Sequence, residues 1–395
     1  MIKFIEQISI RVKLQEGPVV IEQFLLECYL NPGIATKELA RRTLIPIPLA
    51  TAIKKELIRE GMLMQDRGVR CTLSGENAIE EQWGYRGLNK ELYLKLMAND
   101  SDWTLLLQDM MSGVQNYFLQ RPQADVQIDQ SKCTAETSMK RAILCLKQHA
   151  LIGKRILCVG DDDLVSVSIG LLLKRLFPAG GHTKTSVTVV DIDKRFLDYI
   201  GGIAVQEQLS IECLQHDLRQ PVPDQLCGQY DCFFTDPPYT LQGMSLFLSR
   251  GILALKRSKG QPVFLSFAHQ PPESMLAMQR EFIRMGLTVG ANYPRFNTYE
   301  GAEMIANHSQ MFVLRTTDKT APEYMDVFAD ALYTGEVKRT IRTYQCKTCH
   351  SEVLVGAQLN IPTIEQLKNR GCPSCGSDTF DLIRKTNANP DSNKN

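Results

Sequence analysis

Ile156-Leu157-Cys158-Val159-Gly160-Asp161-Asp162-Asp163 is an apolar run that stops at one glycine and three consecutive aspartates. An unbroken apolar run fits a strand buried on both faces, as in a parallel sheet. The glycine leaves the backbone free to turn sharply out of it. Ser186–Asp191 repeats the pattern, and its acid is followed at once by Ile192-Asp193. Ser210–Leu214 and Tyr230–Thr235 come next, the second leading into Asp236-Pro237-Pro238-Tyr239. Pro262–Phe267, Thr288–Tyr293 and Gln310–Leu314 complete the series, with helical patterns such as Leu164–Leu176 and Lys194–Gln208 between them. This alternation predicts an α/β fold, a doubly wound Rossmann-like sheet over 151–330. Ligands of such sheets bind outside the carboxyl ends of the strands. A glycine-rich turn for an anion usually occupies the first of these positions. Here three acids occupy it, so the site is expected to hold a cation.

Composition sets the frame. The chain has 395 residues, 44% hydrophobic and 23% charged, with a net charge of +1. That is enough for two or three domains and gives no overall bias toward nucleic acid or membrane. No apolar run reaches the roughly 18 residues that span a bilayer. The first residues lack a signal-peptide layout, so a cytoplasmic protein is expected. Of twelve cysteines, eight are scattered and several sit in apolar strands, where a thiol acts as a small hydrophobe.

Residues 1–78 are read as a winged-helix domain. An apolar helix at Val19–Leu30, the turn Asn31-Pro32-Gly33, a short helix after Thr36, a third near Pro48–Glu60, and a hairpin around Asp66-Arg67-Gly68 give that order. A DNA reader would place Thr51, Lys54, Lys55 and Arg59 on the third helix. Over 16–77, however, eight basic residues meet eight acidic ones. A DNA-binding unit usually shows a basic face, so a docking or dimerisation role is favoured and a homodimer is expected. Residues 79–150 are expected to be a linker and substrate gate, with a helix over Ser138–His149 and a polar stretch, Asp129 to Thr137, able to cover the site. Residues 331–386 hold Cys346-Lys347-Thr348-Cys349 and Cys372-Pro373-Ser374-Cys375. Two such knuckles at this distance suit a tetrahedral zinc site on a zinc-ribbon-like extension. Four thiolates leave zinc no open position, so the metal is read as structural. Residues 387–395 are polar and expected to be a disordered tail.

Each motif has a bland reading and a chemical one. One aspartate of Asp161–Asp163 could simply cap the helix that begins at Leu164; together they could bind ammonium groups. Asp191 stands where an acid takes the ribose hydroxyls of a nucleoside cofactor, while Asp193 could cap the next helix. Asp217, after the third strand, could accept from an adenine amino group. Pro237 and Pro238 fix the backbone and remove two donors, so Asp236–Tyr239 can present carbonyls and a ring to an amine nitrogen.

Strand, acidic loop, acid after strand two and Asp-Pro-Pro-Tyr after strand four resemble the S-adenosylmethionine-dependent methyltransferases of amino nitrogens. Gly160–Asp163, the Asp129-Gln130 to Glu136-Thr137 stretch and the N-terminal helices together resemble a narrower group, the branched-chain polyamine synthase family. The likeness covers about residues 16–330 and leaves the cysteine knuckles unassigned. It implies a methyltransferase-like fold and transfer of aminopropyl groups from decarboxylated S-adenosylmethionine to the secondary amine of spermidine. Three adjacent aspartates repel one another, which raises the pKa of one and suits it to accept the amine's proton, so Asp161 or Asp162, with Asp236, is expected in that role. Gly160, Asp163, Asp191 and Asp217 would face the co-substrate, and Asp129, Glu136, Pro237 and Tyr239 the acceptor. The charge argument agrees. A carboxylate on the co-substrate would face the acids, whereas two opposite charges about 4 Å apart attract by several kcal/mol at an effective dielectric near 20. Two other classes stay open. One is an amino-nitrogen methyltransferase acting on nucleic acid, which the acids disfavour. The other is a non-enzymatic, polyamine-sensing transcription regulator.

Overall fold

The computed structural model describes residues 3–98, 101–180, 184–301, 305–337, 339–356 and 359–388. The sequence reading centred on the strand before Gly160, and that strand lies in the middle of an eight-stranded sheet. After a hairpin of β1 (Leu63–Gln65) and β2 (Val69–Cys71), the sheet strands are β3 (Lys132–Cys133), β4 (Arg155–Val159), β5 (Ser186–Asp191), β6 (Ile211–Gln215), β7 (Cys232–Thr235), β8 (Pro262–Ala268), β9 (Leu287–Glu300) and β10 (His308–Thr316). Their order is β3-β9-β10-β8-β7-β4-β5-β6. β6, β5, β4, β7 and β8 run parallel, and β10, β9 and β3 add antiparallel neighbours. The strand order reverses between β4 and β7, which opens the crevice where such sheets bind ligands. Those two strands carry the aspartate triplet and Asp236.

The central strands β4 and β8 form where the sequence is apolar on both faces. β8 is buried along all of Pro262–Ala268, and Ile156, Leu157, Cys158 and Val159 of β4 are buried. Each fully buried Leu, Ile or Phe here contributes roughly 1.5–3 kcal/mol. The helices between strands start on polar caps. Asp193 Oδ1 accepts from Arg195 N at 3.0 Å before helix 194–207, and Thr240 Oγ1 from Gly243 N at 2.9 Å before helix 241–254.

The N-terminal unit follows the expected order: helices 19–30, 36–42 and 47–59, then the β1–β2 hairpin. One further helix, Lys3–Arg11, buries Ile5 and Ile8 against it and ion-pairs Arg11 with Glu56 and Glu60. Three of the four residues that a DNA reader would need are occupied within the unit. Lys54 Nζ bonds Thr36 and Gln65, Arg59 pairs with Glu56, and Thr51 Oγ1 donates to Ile47 O.

Three boundaries move. Residues 79–150 are not a linker. They fold into helices 90–97, 108–120 and 135–147, and the last buries Met139, Ala142, Ile143 and Leu146 in the main core. The last of them matches the helix expected over Ser138–His149; the two before it were not expected, because their polarity is mixed. Residues 331–337 belong to the main domain, as described below. β11 (Arg339–Cys346), β12 (Glu352–Val355) and β13 (Phe380–Ala388) form a separate three-stranded sheet. Residues 387 and 388, expected in the tail, lie in β13, and 389–395 fall outside the described residues. Among the described residues no helix is long and apolar enough to cross a membrane.

Candidate active site

At the carboxyl end of β4, Gly160 has φ +78°, a conformation that favours glycine, and its N–H donates to Val190 O of β5. The three aspartates that follow point three ways. Asp161 is 2% exposed and caps helix 165–176, accepting from Val165 N at 2.7 Å and Ser166 N at 3.0 Å. Its role is thus the capping one, and it does not line the cleft. Burial lifts its carboxyl to about 7, against the pull of those amides. Asp163 also turns inward. It accepts from Cys133 N at 3.0 Å and from Arg141 Nη1 at 2.7 Å. Burial raises its pKa, but Arg141, Arg121 and the Cys133 amide outweigh that and hold it below the usual range. Only Asp162 faces the cleft. It accepts from Ser131 N at 3.2 Å, its one donor among the described residues, and burial, with Asp163, Asp191 and Asp236 nearby, pushes it well above the ordinary carboxyl value.

Asp236 follows β7 and closes the other side. Oδ2 accepts from Tyr299 OH at 2.6 Å and Arg141 Nη2 at 2.9 Å, and Oδ1 from Tyr239 OH at 3.1 Å. Burial pushes its carboxyl up to about 6, with Arg141 pulling the other way. Pro238 lines the cleft, and Pro237 is buried beside it. Tyr239 does not line the cleft as a channel wall. Its ring packs edge-on against Phe267 and its hydroxyl orients Asp236.

The rest of the cleft encloses about 540 Å³, counting its open mouth. Asp191 ends β5 and takes Asp161 N and Asp193 N on its two oxygens, at 3.0 and 2.8 Å. Asp217 lines it after β6, and Asp129 lines it from the stretch before β3. Ile128, Ile192, Leu218, Phe247, Leu332 and Tyr333 supply apolar and aromatic wall. Among the described residues five carboxyl groups (Asp129, Asp162, Asp191, Asp217, Asp236) line this cleft, and no Lys, Arg or His does. Glu136 lies outside it and accepts from Gln115 Nε2 at 3.1 Å.

Leu332 and Tyr333 arrive on a strap, residues 317–337, that sequence reading missed. The strap has little regular structure, so its anchors are side chains. Arg250, 1% exposed, donates to the carbonyls of Tyr324, Met325 and Asp326 at 3.0, 3.2 and 2.7 Å, and to those of Leu218 and Arg219. Thr240 Oγ1 holds Leu332 O at 2.8 Å, Asp129 Oδ2 accepts from Thr334 N at 2.6 Å, and Arg219 pairs with Glu336 through two 2.7 Å contacts. Arg141 and Tyr299 were missed as well. The signal for Arg141 was available, since it sits among Ser138, Ala142 and Cys145 on the apolar face of its helix.

Apart from this cleft, Cys346, Cys349, Cys372 and Cys375 bring their sulfurs within 4.8 Å of one another. Gly371 has φ +76°, and a Cβ there would lie 2.6 Å from Gly376 O, so the second knuckle needs glycine. Donor set and spacing fit a tetrahedral metal.

The family described as the branched-chain polyamine synthase A C-terminal domain matches residues 109–358. An uncharacterised protein of Methanocaldococcus jannaschii is 33% identical over 96% of this chain and 93% of its own length. An N(4)-bis(aminopropyl)spermidine synthase of the same organism is 30% identical over 53% of this chain and 57% of its own, and one from Thermococcus kodakarensis is 37% identical over 53% and 58%. In fold, the branched-chain polyamine synthase of Thermus thermophilus, solved with N4-aminopropylspermidine and 5′-methylthioadenosine, superposes with a TM-score of 0.50 at 22% identity, over 84% of this chain and 96% of that one.

Proposed function

This chain belongs to the branched-chain polyamine synthase family, a family of transferases, and on that premise we propose that it moves aminopropyl groups from decarboxylated S-adenosylmethionine to the secondary amine of spermidine. The observation that carries the reading is the cleft wall beside the switch point: five carboxyl groups line it and, among the described residues, no basic side chain does. Such a wall attracts a polyamine and the ammonium and sulfonium of the decarboxylated co-substrate. It repels phosphate and the carboxylate of S-adenosylmethionine itself. The ligands in the T. thermophilus structure are of the matching kinds, a branched polyamine and a thioether nucleoside.

Asp191 would take the ribose hydroxyls and Asp217 the adenine amino group, with Phe247, Leu218 and Tyr333 against the base. Asp129, Asp162 and Asp236 would hold the ammoniums. Holding both ends of spermidine places its internal nitrogen against the carbon bonded to sulfur. That amine must first be neutral, and its proton passes to a carboxylate. Asp162 suits this role: it faces the cleft, its raised pKa makes its ionised form a stronger base, and two cations entering the cleft favour that ionised form. The nitrogen lone pair then forms the C–N bond. The C–S bond breaks, its electron pair stays on sulfur, and 5′-methylthioadenosine leaves neutral. A second transfer, to the tertiary amine, gives a quaternary nitrogen.

The knuckles are read as a structural Zn(Cys)4 site on a zinc-ribbon-like unit. The N-terminal helices and hairpin are read as a winged helix used for docking, a role that their internally paired basic residues support. The test of function is to incubate the protein with spermidine and either form of the co-substrate, then fragment the products in a mass spectrometer. An aminopropyl group on the internal nitrogen supports the reading. One on a terminal nitrogen makes it a linear aminopropyltransferase, a methyl group a methyltransferase, and no product a binding protein.

A further inference from the structure

Arg141 is 3% exposed and reaches across the crevice between β4 and β7. Nη1 donates to Asp163 at 2.7 Å, Nη2 to Asp236 at 2.9 Å, and Nε to Asn297 Oδ1 at 2.9 Å. Nη2 also touches Tyr299 OH at 3.1 Å and Ser266 Oγ at 3.2 Å, and those two hydroxyls bond each other at 2.9 Å. The planar fork of a guanidinium can span two carboxylates and keep both oriented. Its charge offsets one of the two, so Arg141, Asp163 and Asp236 together carry one net negative charge. Asp162 receives no donor from this network; among the described residues its only donor is the Ser131 amide.

We infer that Arg141 is a positioning residue that divides the acids of the site: it locks Asp163 and Asp236 together across the crevice and leaves Asp162 as the carboxyl that exchanges a proton with the amine. The inference rests on the amine-transfer reading above. It also explains how a pocket built to bind cations can contain a buried cation: Arg141 does not line the cleft. The groups that set the local charge come from several elements. Asp163 and Asp162 follow β4, Asp236 follows β7, Tyr299 lies on β9, and Asp191 ends β5. Arg121 adds positive potential at Asp163 from the end of helix 108–120. Of these, Arg141 alone is hydrogen-bonded to both Asp163 and Asp236.

Two variants test this. Arg141→Met removes the charge and Arg141→Lys keeps it without the fork. In Arg141→Met, the acidic limb of kcat/KM should move up by about one pH unit or more, because each nearby acid loses its cation. Its kcat should fall about 100-fold, the scale of a misplaced group. In Arg141→Lys the limb should stay with the parent while kcat remains at least about 10-fold down, since one ammonium cannot orient two carboxylates. A folded Arg141→Met with an unmoved limb overturns the inference. So does an Arg141→Lys variant with parental kcat or a shifted limb, and this variant decides the matter if the methionine variant does not fold. A second readout needs no activity: titration of 13C-labelled aspartate carboxyls in the substrate-free protein. Asp236 should titrate higher in Arg141→Met than in the parent. If the parent protein makes no product from spermidine, the transfer reading fails, and this titration still decides for or against Arg141.

Discussion

At the carboxyl ends of β4 and β7 the carboxyl groups of Asp162, Asp163 and Asp236 crowd together; at the far end of the chain four cysteine sulfurs do the same. The first crowd has a cation of its own, Arg141, buried between two of its members. The second has no such partner among the described residues: its sulfurs take hydrogen bonds from one another, from Ser351 and from backbone amides of the knuckles, and the neighbouring Lys347 is paired with Asp381. Anionic groups packed this closely need a positive charge among them. Where the chain supplies it, the site can stay assembled and keep a residual charge for a ligand. Where it does not, assembly should wait for a metal.

The sharpest way to break this contrast is to remove metal. Metal analysis should give about one zinc per chain. Stripping it should cost the knuckle unit most of its structure, since such sites bind with roughly 10–16 kcal/mol. Amide exchange over 339–388 should then rise while exchange in β4 to β8 stays slow, and turnover should persist. Cys349→Ser should lower the zinc content likewise. A purified protein without zinc but with a protected knuckle sheet would end the comparison, as would chemistry that needs an exchangeable metal water.

Next in size is Asp236→Asn. The amide is nearly isosteric, and Arg141 keeps Asp163 as a balanced partner, so the fold should survive. Turnover should fall about 100-fold, because the carboxylate that helps to hold an ammonium and keep the acceptor in place is lost. Near-normal turnover by folded variant protein removes Asp236 from the mechanism. The pH profile sharpens the same point. With Asp236 pushed up to about 6, it is ionised above that value and protonated below, so kcat/KM should fall as pH drops through about 6.

Smaller again is the choice of co-substrate. Calorimetry should show decarboxylated S-adenosylmethionine binding at least about 10-fold tighter than the carboxylated form, because the penalty acts across a partly hydrated cleft. Equal binding would mean the residual charge does not select.

The smallest effect concerns Asp161, which caps a helix instead of serving the ligand. Asp161→Asn keeps one of its two amide bonds and should cost about 1 kcal/mol. The sign of its pH dependence follows from linkage. A carboxyl at about 7 when folded, against roughly 3.9 unfolded, binds its proton more tightly in the native state. Its stability contribution is complete below pH 4 and is lost as pH rises through about 7. Asparagine has no such loss, so the gap, taken as parent minus variant in urea unfolding, should fall from pH 4 to 8 and pass through zero, because about 3 pKa units outweigh a gap of about 1 kcal/mol. A constant or rising gap means that Asp161 is not held protonated.

The sequence made the sheet legible because its parallel strands are short apolar runs, each ending in a marked residue. Gly160, Asp191 and Asp236 could be placed at strand ends without any long-range information. The division of labour among Asp161, Asp162 and Asp163 was not legible. It depends on where three successive side chains point, and that is settled by helix 165–176, the Cys133 amide and Arg141. Arg141 lies 95 positions from Asp236, and Tyr299 lies 158 from Arg141. No local pattern links such residues. The strap was hidden for another reason: its stabilising groups are backbone carbonyls, which every residue has, gathered by one buried arginine.

The strap also sets an order in time. The sheet strands that carry Gly160, Asp191 and Asp236 are complete once the chain has been made to residue 236, and the parallel core can begin to form around them. The wall of the cleft is unfinished until Leu332 and Tyr333 have emerged and Arg250 has found its carbonyls. On a ribosome, the ligand's place is therefore framed early and enclosed late.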